Sequence, residues 1–228
     1  MKRNEITDFS LDQGSMTKDY SMICGGRVLA GGEVLSAPGP DQHQVVYVDR
    51  GVIRIGGQAY EPGAGLYRQG GEDLIADTDC ALVIWTIGLA DQLTDFSPGD
   101  GSRYLTSPLT LPSGSGLLRL DAVTFPPGSR AYRHEHSGPG TRFLLEGSLQ
   151  INTDHGQEMM HPGDPWFEDA HSAVLAIADK QFTSRFVRVM VLPVDNKGKP
   201  SINYLDPADA GKPRLQSNTR YIDQVIDF

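Results

Sequence analysis

Short hydrophobic runs recur along the chain, separated by glycine and proline. The strongest are QVVYV (44–48), GVIRI (51–55), LVIWTI (82–87), LLRLDAVTF (117–125), TRFLL (141–145), SLQI (148–151) and RFVRVMVL (185–192). Valine, isoleucine, tyrosine and phenylalanine dominate them, which is typical of strands packed on one or both faces. No long stretch places apolar residues at helical spacing. The pattern therefore predicts an all-β chain, built as a sandwich or a barrel.

The same pattern occurs in both halves of the chain. The strand pair VYVDRGVIRI (46–55) precedes a Pro-Gly turn at 62–63, and the pair FLLEGSLQI (143–151) precedes a Pro-Gly turn at 162–163. In each half a glycine separates the two strands, and a later apolar strand closes the unit. An internal repeat of this kind indicates two copies of one architecture in tandem.

A Gly-, Ser- and Pro-rich segment at 97–116 separates the two halves, so we place the domain boundary near residue 110. This gives a first domain at 1–110 and a second at 111–193. The remaining segment, 194–228, is polar and rich in turns, but it ends in the partly apolar sequence RYIDQVIDF. We expect this tail to dock onto the domains or onto a partner subunit.

Composition narrows the range of partners. The net charge is −9 and no cluster of lysine and arginine is present, which argues against a nucleic-acid partner. The longest apolar run, CALVIWTIGLA (80–90), is too short to span a bilayer, and no signal peptide is visible, so no membrane partner is expected. Only two cysteines occur, Cys24 and Cys80, and they define no disulfide framework. We expect a reduced, cytoplasmic protein.

The strongest candidates for functional residues lie in the segment GSRAYRHEHSGPGTRFLLEGSLQI (128–151). Alternate side chains of a strand point to one face, so His134 and His136 project together while Glu135 points away. Two imidazoles on one face of a barrel interior suit Fe, Mn, Ni, Cu or Zn. The alternative is a pair of histidines that face solvent from an edge strand.

This segment resembles the first motif of the cupin superfamily, which runs G-x5-H-x-H-x(3,4)-E-x6-G. Gly128, His134, His136 and Gly147 fit it. The turn PGD at 162–164 resembles part of the second cupin motif. The resemblance implies two cupin domains in tandem, each a double-stranded β-helix or jelly roll.

The resemblance also implies a set of metal ligands. His171 is the candidate for the histidine of the second motif, although only six residues separate it from Asp164, and His161 is the reserve. The implied shell is His134, His136 and His171 around a divalent metal, with Fe favoured and Mn, Ni and Zn as alternatives. The corresponding positions of the first half are Pro38 and Pro40, which bind no metal, so the N-terminal cupin is expected to be degenerate.

One position departs from the motif. The spacing places the usual glutamate at Gly140, and Arg142 lies one strand period beyond it. Burial of a guanidinium inside a barrel costs free energy unless the group pairs with a carboxylate or a phosphate. Arg142 is therefore a candidate catalytic residue that holds a substrate carboxylate. The alternative is that it pairs with a nearby aspartate or glutamate.

These features favour a metal-dependent enzyme that acts on a small organic acid, of the Fe(II) dioxygenase type, with a three-histidine site. Two alternatives remain open: a non-redox metal-dependent isomerase, hydrolase or lyase, and a non-catalytic cupin that binds a small molecule. The expected partners are a carboxylate-bearing small molecule and a second copy of the chain in a homodimer.

Overall fold

A computed structural model describes residues 19–93, 103–111 and 114–228 of the chain. The first residues of the predicted domain 1–110 and part of the predicted divider 97–116 lie outside the described residues. Among the residues described, no helix is long and apolar enough to cross a membrane.

Within the described residues, nine strands form the N-terminal half. They are β1 (Tyr20–Leu29), β2 (Val34–Leu35), β3 (His43–Arg50), β4 (Ile53–Ile55), β5 (Gln58–Tyr60), β6 (Gly65–Arg68), β7 (Leu74–Ala76), β8 (Cys80–Leu89) and β9 (Tyr104–Leu109). A 3-10 turn at Ala90–Gln92 follows β8.

Ten strands form the C-terminal half. They are β10 (Ser115–Phe125), β11 (Arg130–His136), β12 (Gly140–Glu146), β13 (Leu149–Thr153), β14 (Gly156–Met160), β15 (Pro165–Glu168), β16 (Val174–Ala178), β17 (Ser184–Leu192), β18 (Ile202–Tyr204) and β19 (Ser217–Asp227). A 3-10 turn at Val194–Asn196 and the short helix α1 (Pro207–Ala210) lie in the tail. The prediction of an all-β chain is confirmed.

Each half folds as two facing antiparallel sheets. The N-terminal barrel combines the sheet β6-β3-β8-β1-β9 with the sheet β2-β7-β4-β5. The C-terminal barrel combines β15-β12-β17-β10-β19 with β14-β13-β16-β11-β18. Non-consecutive strands are neighbours in every sheet, which is the jelly-roll arrangement that the sequence motifs imply.

The predicted repeat is visible in backbone geometry. Gly51 and Gly147 have φ values of 78° and 75°, and a Cβ at either would lie 2.3 Å from the backbone oxygen of the residue just before a later long strand, β8 or β17. Only glycine tolerates this combination of positive φ and close approach. In both halves the next Pro-Gly turn folds back on the strand, with Gly63 N donating to Val48 O at 2.8 Å and Gly163 N donating to Leu144 O at 2.9 Å.

The two barrels share a hydrophobic core. One cluster of buried residues takes side chains from the sheets β6-β3-β8-β1-β9 and β15-β12-β17-β10-β19, including Val45 and Trp85 from the N-terminal barrel and Val187 and Val189 from the C-terminal barrel. Trp85 Nε1 donates to the backbone oxygen of Thr141 at 3.2 Å across this contact. The barrels therefore pack directly against each other through apolar sheet faces.

The tail, residues 194–228, completes the C-terminal barrel. β18 pairs with β11, and β19 pairs with β10 over most of its length. Ile222 and Ile226 of β19 are buried in the shared core, while Phe228 packs edge-to-face against Tyr20 and His43 of the N-terminal barrel. The tail thus adds one strand to each sheet of the C-terminal barrel and contacts both barrels.

Candidate functional site

His134 and His136 lie on β11 and face the interior of the C-terminal barrel. Their exposed fractions are 4% and 3%, and their rings stand edge-to-face with centroids 4.9 Å apart. Glu135, between them, points away from the cavity, as strand alternation requires. Sequence and structure therefore agree on which face of this strand carries the imidazole pair.

The pair lines a cavity of about 260 Å³. Most of the wall is apolar, with side chains from both sheets: Val123, Phe125, Ala131, Leu149, Ile151, Trp166, Val174, Ala176 and Phe186. Charged side chains cluster on one side of it: Arg119, Asp121, Arg142, Glu168 and Arg188. An apolar cavity with a few convergent polar groups is the usual form of a small-molecule site.

Hydrogen bonds orient both imidazoles. Nδ1 of His134 lies 2.6 Å from the backbone oxygen of Tyr132, which only accepts, so this nitrogen carries the proton and Nε2 keeps its lone pair. Nε2 of His136 lies 3.4 Å from Nη1 of Arg188 and 3.5 Å from Oε2 of Glu168, so it faces a donor and an acceptor at similar distances.

Burial and charge favour the neutral rings. Desolvation lowers the pKa of His134, and the Arg188 and Arg142 guanidiniums lower it further, against an opposing effect from Glu168. Desolvation lowers the pKa of His136 well below its ordinary value, with Arg188 and Arg142 acting in the same direction. Neutral imidazoles at physiological pH can accept a proton or bind a cation.

The glutamate that the motif has at position 140 is absent for a steric reason. A carboxylate from another strand lies beside this position instead. A Cβ at Gly140 would lie 2.3 Å from the backbone oxygen of Val189, so no side chain fits there. Directly across the β12–β15 ladder, Gly140 is paired with Glu168. The Glu168 side chain lines the cavity, and its Oε2 lies 3.5 Å from Nε2 of His136.

Arg142 is 1% exposed and lies beside this carboxylate, with Nη2 2.7 Å from Glu168 Oε2. Burial lowers its pKa to about 10, which leaves it charged at neutral pH. The two atoms are in ion-pair contact, and neither has a further hydrogen-bond partner among the described residues. Because Nη2 carries two N–H groups, one of them remains available to a ligand.

A second ion pair lies next to the first. Arg188 is the cross-strand neighbour of Arg142, and Asp121 is the cross-strand neighbour of Arg188. Arg188 donates to both Asp121 oxygens, with Nε 2.6 Å from Oδ1 and Nη2 3.1 Å from Oδ2. One row of the sheet thus carries two buried guanidiniums side by side, an arrangement that favours an anion between them and the imidazoles.

The structure does not bring His171 to the histidine pair. Its side chain is 67% exposed, it has a φ of 59°, and its Nδ1 lies 3.2 Å from Glu135 Oε1 on the outside of the barrel. The residue that faces His134 across the β11–β16 ladder is Val174, an apolar side chain that lines the cavity. The reserve residue His161 is also exposed, in a turn next to Asp164.

The donor set at this end of the cavity is therefore two imidazoles and one carboxylate, and Arg142 already holds the carboxylate. Across residues 19–93, 103–111 and 114–228, no three His, Cys, Asp or Glu side chains converge closely enough to hold a metal ion. The residues present do not fit the predicted three-histidine shell. A buried guanidinium 3.4 Å from His136 Nε2 also disfavours a second cation there.

Sequence reasoning missed Glu168 and Asp121. Period-two alternation after the second Pro-Gly turn puts Trp166 and Glu168 on one face of PWFE, and this signal could have identified the carboxylate. The pairing of Glu168 with Gly140 is a matter of register between distant strands. The tail residues that line the cavity, such as Tyr204, had no sequence signal.

No protein-family model matches the chain, and no curated protein does. Solved structures do resemble it. The oxalate decarboxylase of Lactobacillus farciminis, solved as a formate complex, has a TM-score of 0.55 and 11% identity over 86% of this chain and 82% of its own. The Bacillus subtilis oxalate decarboxylase has a TM-score of 0.55 and 11% identity over 87% and 74%. AerE from Microcystis aeruginosa has a TM-score of 0.52 and 12% identity over 75% and 88%.

Proposed function

We propose, for a chain whose fold is that of the cupin superfamily, that the C-terminal barrel binds a small organic acid and carries out acid–base chemistry on it. The observation that carries this proposal is the pair of buried, adjacent guanidiniums, Arg142 and Arg188, next to two neutral imidazoles in a mostly apolar cavity. The guanidiniums would contact the carboxylate of such a ligand, the imidazoles its acidic proton, and the apolar wall its body.

The carboxylate is assigned to the charged side of the cavity. Arg142 Nη2 is buried against Glu168, and its second N–H can donate to a carboxylate oxygen of the ligand. Asp121 neutralises Arg188 and Glu168 neutralises Arg142, so the empty cavity carries little net charge on this side. An acid that enters as an anion can displace Glu168 from Arg142, or can share its proton if it enters neutral. The L. farciminis oxalate decarboxylase, which resembles this chain in fold, was solved as a formate complex, and this is consistent with a small carboxylate as the ligand here.

The imidazoles supply the base. His134 holds its proton on Nδ1 against the Tyr132 carbonyl, so Nε2 is free to accept a proton from the bound acid. The lowered pKa of His134 keeps this nitrogen unprotonated at neutral pH. The apolar wall excludes water from the same space and accommodates the body of the acid.

Binding is tested with a panel of monocarboxylic acids, benzoate, hexanoate and 2-oxohexanoate, by calorimetry and thermal shift. We expect at least one acid to raise the melting temperature of the wild type, since a ligand that binds only the folded state stabilises it. The variant Arg142→Met should lose this response. The matched control is Arg54→Met, which breaks an exposed ion pair of the same 2.7 Å length in the N-terminal barrel and should keep the response. Undiminished binding to Arg142→Met would reject the assignment.

The base is tested separately, by solvent deuterium incorporation into bound 2-oxohexanoate. The wild type should catalyse exchange at the carbon next to the carbonyl, and His134→Gln should lose exchange while it still binds the acid. Loss of binding and exchange together would show that His134 serves recognition rather than proton transfer.

A second candidate is the iron(II) dioxygenase predicted from the sequence. The observation that favours it is that two of the three predicted ligands, His134 and His136, face the same cavity with their ring centroids 4.9 Å apart. Metal analysis of the wild type and of His134→Ala/His136→Ala decides between the candidates. Stoichiometric iron that is lost in the variant would support the dioxygenase, and no bound metal after reconstitution of the wild type would reject it.

A further inference from the structure

We propose that the tail builds a second anion subsite at the mouth of the cavity, so that the ligand is a dicarboxylic acid with an apolar body between its two acidic groups. The subsite consists of Arg214, Tyr204 and Gln216. This inference rests on the proposed function, because the first acidic group is assigned to Arg142.

The tail reaches the cavity through its pairing with the histidine strand. Tyr204, the last residue of β18, lies directly across the ladder from His134, with ring centroids 6.4 Å apart. The chain then passes through α1 and returns as β19, so that Arg214, Gln216 and Arg220 also line the cavity. Arg214 and Arg220 are exposed, whereas the apolar wall is buried, so these residues mark the mouth.

Charge pairing singles out Arg214. Five arginines line the cavity, and four of them have a carboxylate partner: Arg119 and Arg220 with Asp223, Arg142 with Glu168, and Arg188 with Asp121. Within the described part of the chain, Arg214 has no such partner. Its guanidinium lies over the Tyr204 ring, 4.8 Å from the centroid. Stacking of this kind holds the guanidinium plane in place and leaves its N–H groups free for an anion.

Two residues of the cavity lining carry buried polar atoms without partners. Among the described residues, the hydroxyl oxygen of Tyr204 and Oε1 of Gln216 are both buried and have no hydrogen-bond partner. Buried polar groups without partners are rare in native proteins and call for a ligand or a water. A carboxylate can accept from the Tyr204 hydroxyl and from Arg214, while the Gln216 amide, whose oxygen and nitrogen are interchangeable by a flip, supplies a further donor.

The apolar wall decides the body of the ligand. Phe125, Trp166 and Phe186 line the same cavity as Arg142 and Arg214. The cavity of about 260 Å³ leaves room for a compact aliphatic or aromatic body. An acidic group at each end of such a body matches the distribution of cations along the cavity.

The test compares acids that share a body and differ by one carboxylate. The pairs are hexanoate and adipate, octanoate and suberate, and benzoate and terephthalate, titrated into the wild type by calorimetry at constant ionic strength. We expect at least one dicarboxylate to bind about tenfold more tightly than its monocarboxylate, the effect of one charge-assisted contact. Arg214→Gln should abolish this preference and leave the monocarboxylate affinity unchanged. Tyr204→Phe should reduce the preference by a smaller factor.

The matched control is Arg50→Gln, which removes a 77% exposed arginine from the N-terminal barrel and should leave the preference intact. Equal affinities within every pair, or a preference that survives Arg214→Gln, would overturn the mouth subsite and leave the proposed function standing. If no acid of either class binds, the proposed function fails first and this inference fails with it.

Discussion

At the residue scale, Gly140 explains why the chain departs from the motif that it otherwise follows. The close approach of β17 leaves no volume for a side chain, since a Cβ would lie 2.3 Å from Val189 O and 2.7 Å from Met190 Cγ. The carboxylate of the site comes instead from the facing strand, at Glu168. Glycine at the position where the motif has glutamate thus occurs together with a close contact between strands.

Gly140→Ala should destabilise the protein by about 2 kcal/mol or more, because overpacking a buried site forces backbone movement. Chemical denaturation measures this loss. The control Gly211→Ala adds the same methyl group at the end of α1, where φ is −89° and no atom lies within 4 Å of the new Cβ, and it should change stability by less than about 0.5 kcal/mol. Equal effects of the two substitutions would contradict the steric account.

Arg142 and Glu168 form a buried ion pair whose partners depend on each other. Arg142→Met leaves a buried carboxylate unpaired and should cost about 3–5 kcal/mol, and Glu168→Gln leaves a buried guanidinium unpaired with a cost of the same order. The double variant should lose less than the sum of the two, with a coupling of at least about 1 kcal/mol in a double-mutant cycle.

The control cycle is Arg54→Met with Asp77→Asn, an ion pair of equal length on the surface. Its coupling should stay below about 1 kcal/mol, because solvent screens exposed charges. Similar couplings in the two cycles would show that burial of the Arg142 pair does not strengthen it.

At the element scale, β19 connects the candidate site to the N-terminal barrel. Its first residues line the mouth of the cavity, and its middle is buried in the shared core. Its end leads to Phe228, which packs on His43 with ring centroids 5.2 Å apart. His43 is buried, and its Nδ1 lies 2.9 Å from the Tyr67 hydroxyl. The last strand is therefore held at both ends by different barrels.

The contribution of His43 to the free energy of unfolding should decrease in acid. Desolvation lowers the pKa of His43 in the folded state, against a smaller opposing effect from Asp227. As pH falls below about 6.5, the unfolded chain binds a proton at this residue before the folded chain does, so stability decreases by up to about 1.4 kcal/mol per pH unit. His43→Gln should give a shallower decrease in urea denaturation experiments over this range.

His155→Gln, a substitution in an exposed turn, is the control for this pH series and should follow the wild-type curve. A His43→Gln variant with the wild-type slope would mean that the acid sensitivity originates elsewhere, for example at the cavity histidines.

At the scale of the whole molecule, the two barrels unfold together if their shared core stabilises both. The chain has two tryptophans, and they report on different places: Trp85 lies in the core between the barrels and Trp166 lies in the wall of the cavity. In Trp85→Phe and in Trp166→Phe, the remaining fluorescence transition should coincide with the far-ultraviolet circular dichroism transition of the same variant. Separate midpoints within either variant would show that the barrels unfold independently.

The sequence by itself was enough to predict the all-β class, the tandem repeat and the inward-facing histidine pair. Each of these features depends on a local pattern. Apolar alternation predicts the strands, a glycine between paired strands marks each repeat because glycine tolerates a positive φ, and two histidines one strand period apart share a face. The inward direction of the Arg142 side chain was predicted in the same way, because strand alternation places it on the inward face.

Tertiary structure alone decided what surrounds those residues. The pairing of Gly140 with Glu168, of Arg188 with Asp121 and of His134 with Val174 depends on the register between strands that are far apart in sequence. The exposure of His171 and the entry of Tyr204 and Arg214 into the cavity depend on how loops and the tail cross the barrel. A short motif constrains the direction in which its own side chains point, but the groups they meet are set by long-range strand pairing, which no local pattern encodes.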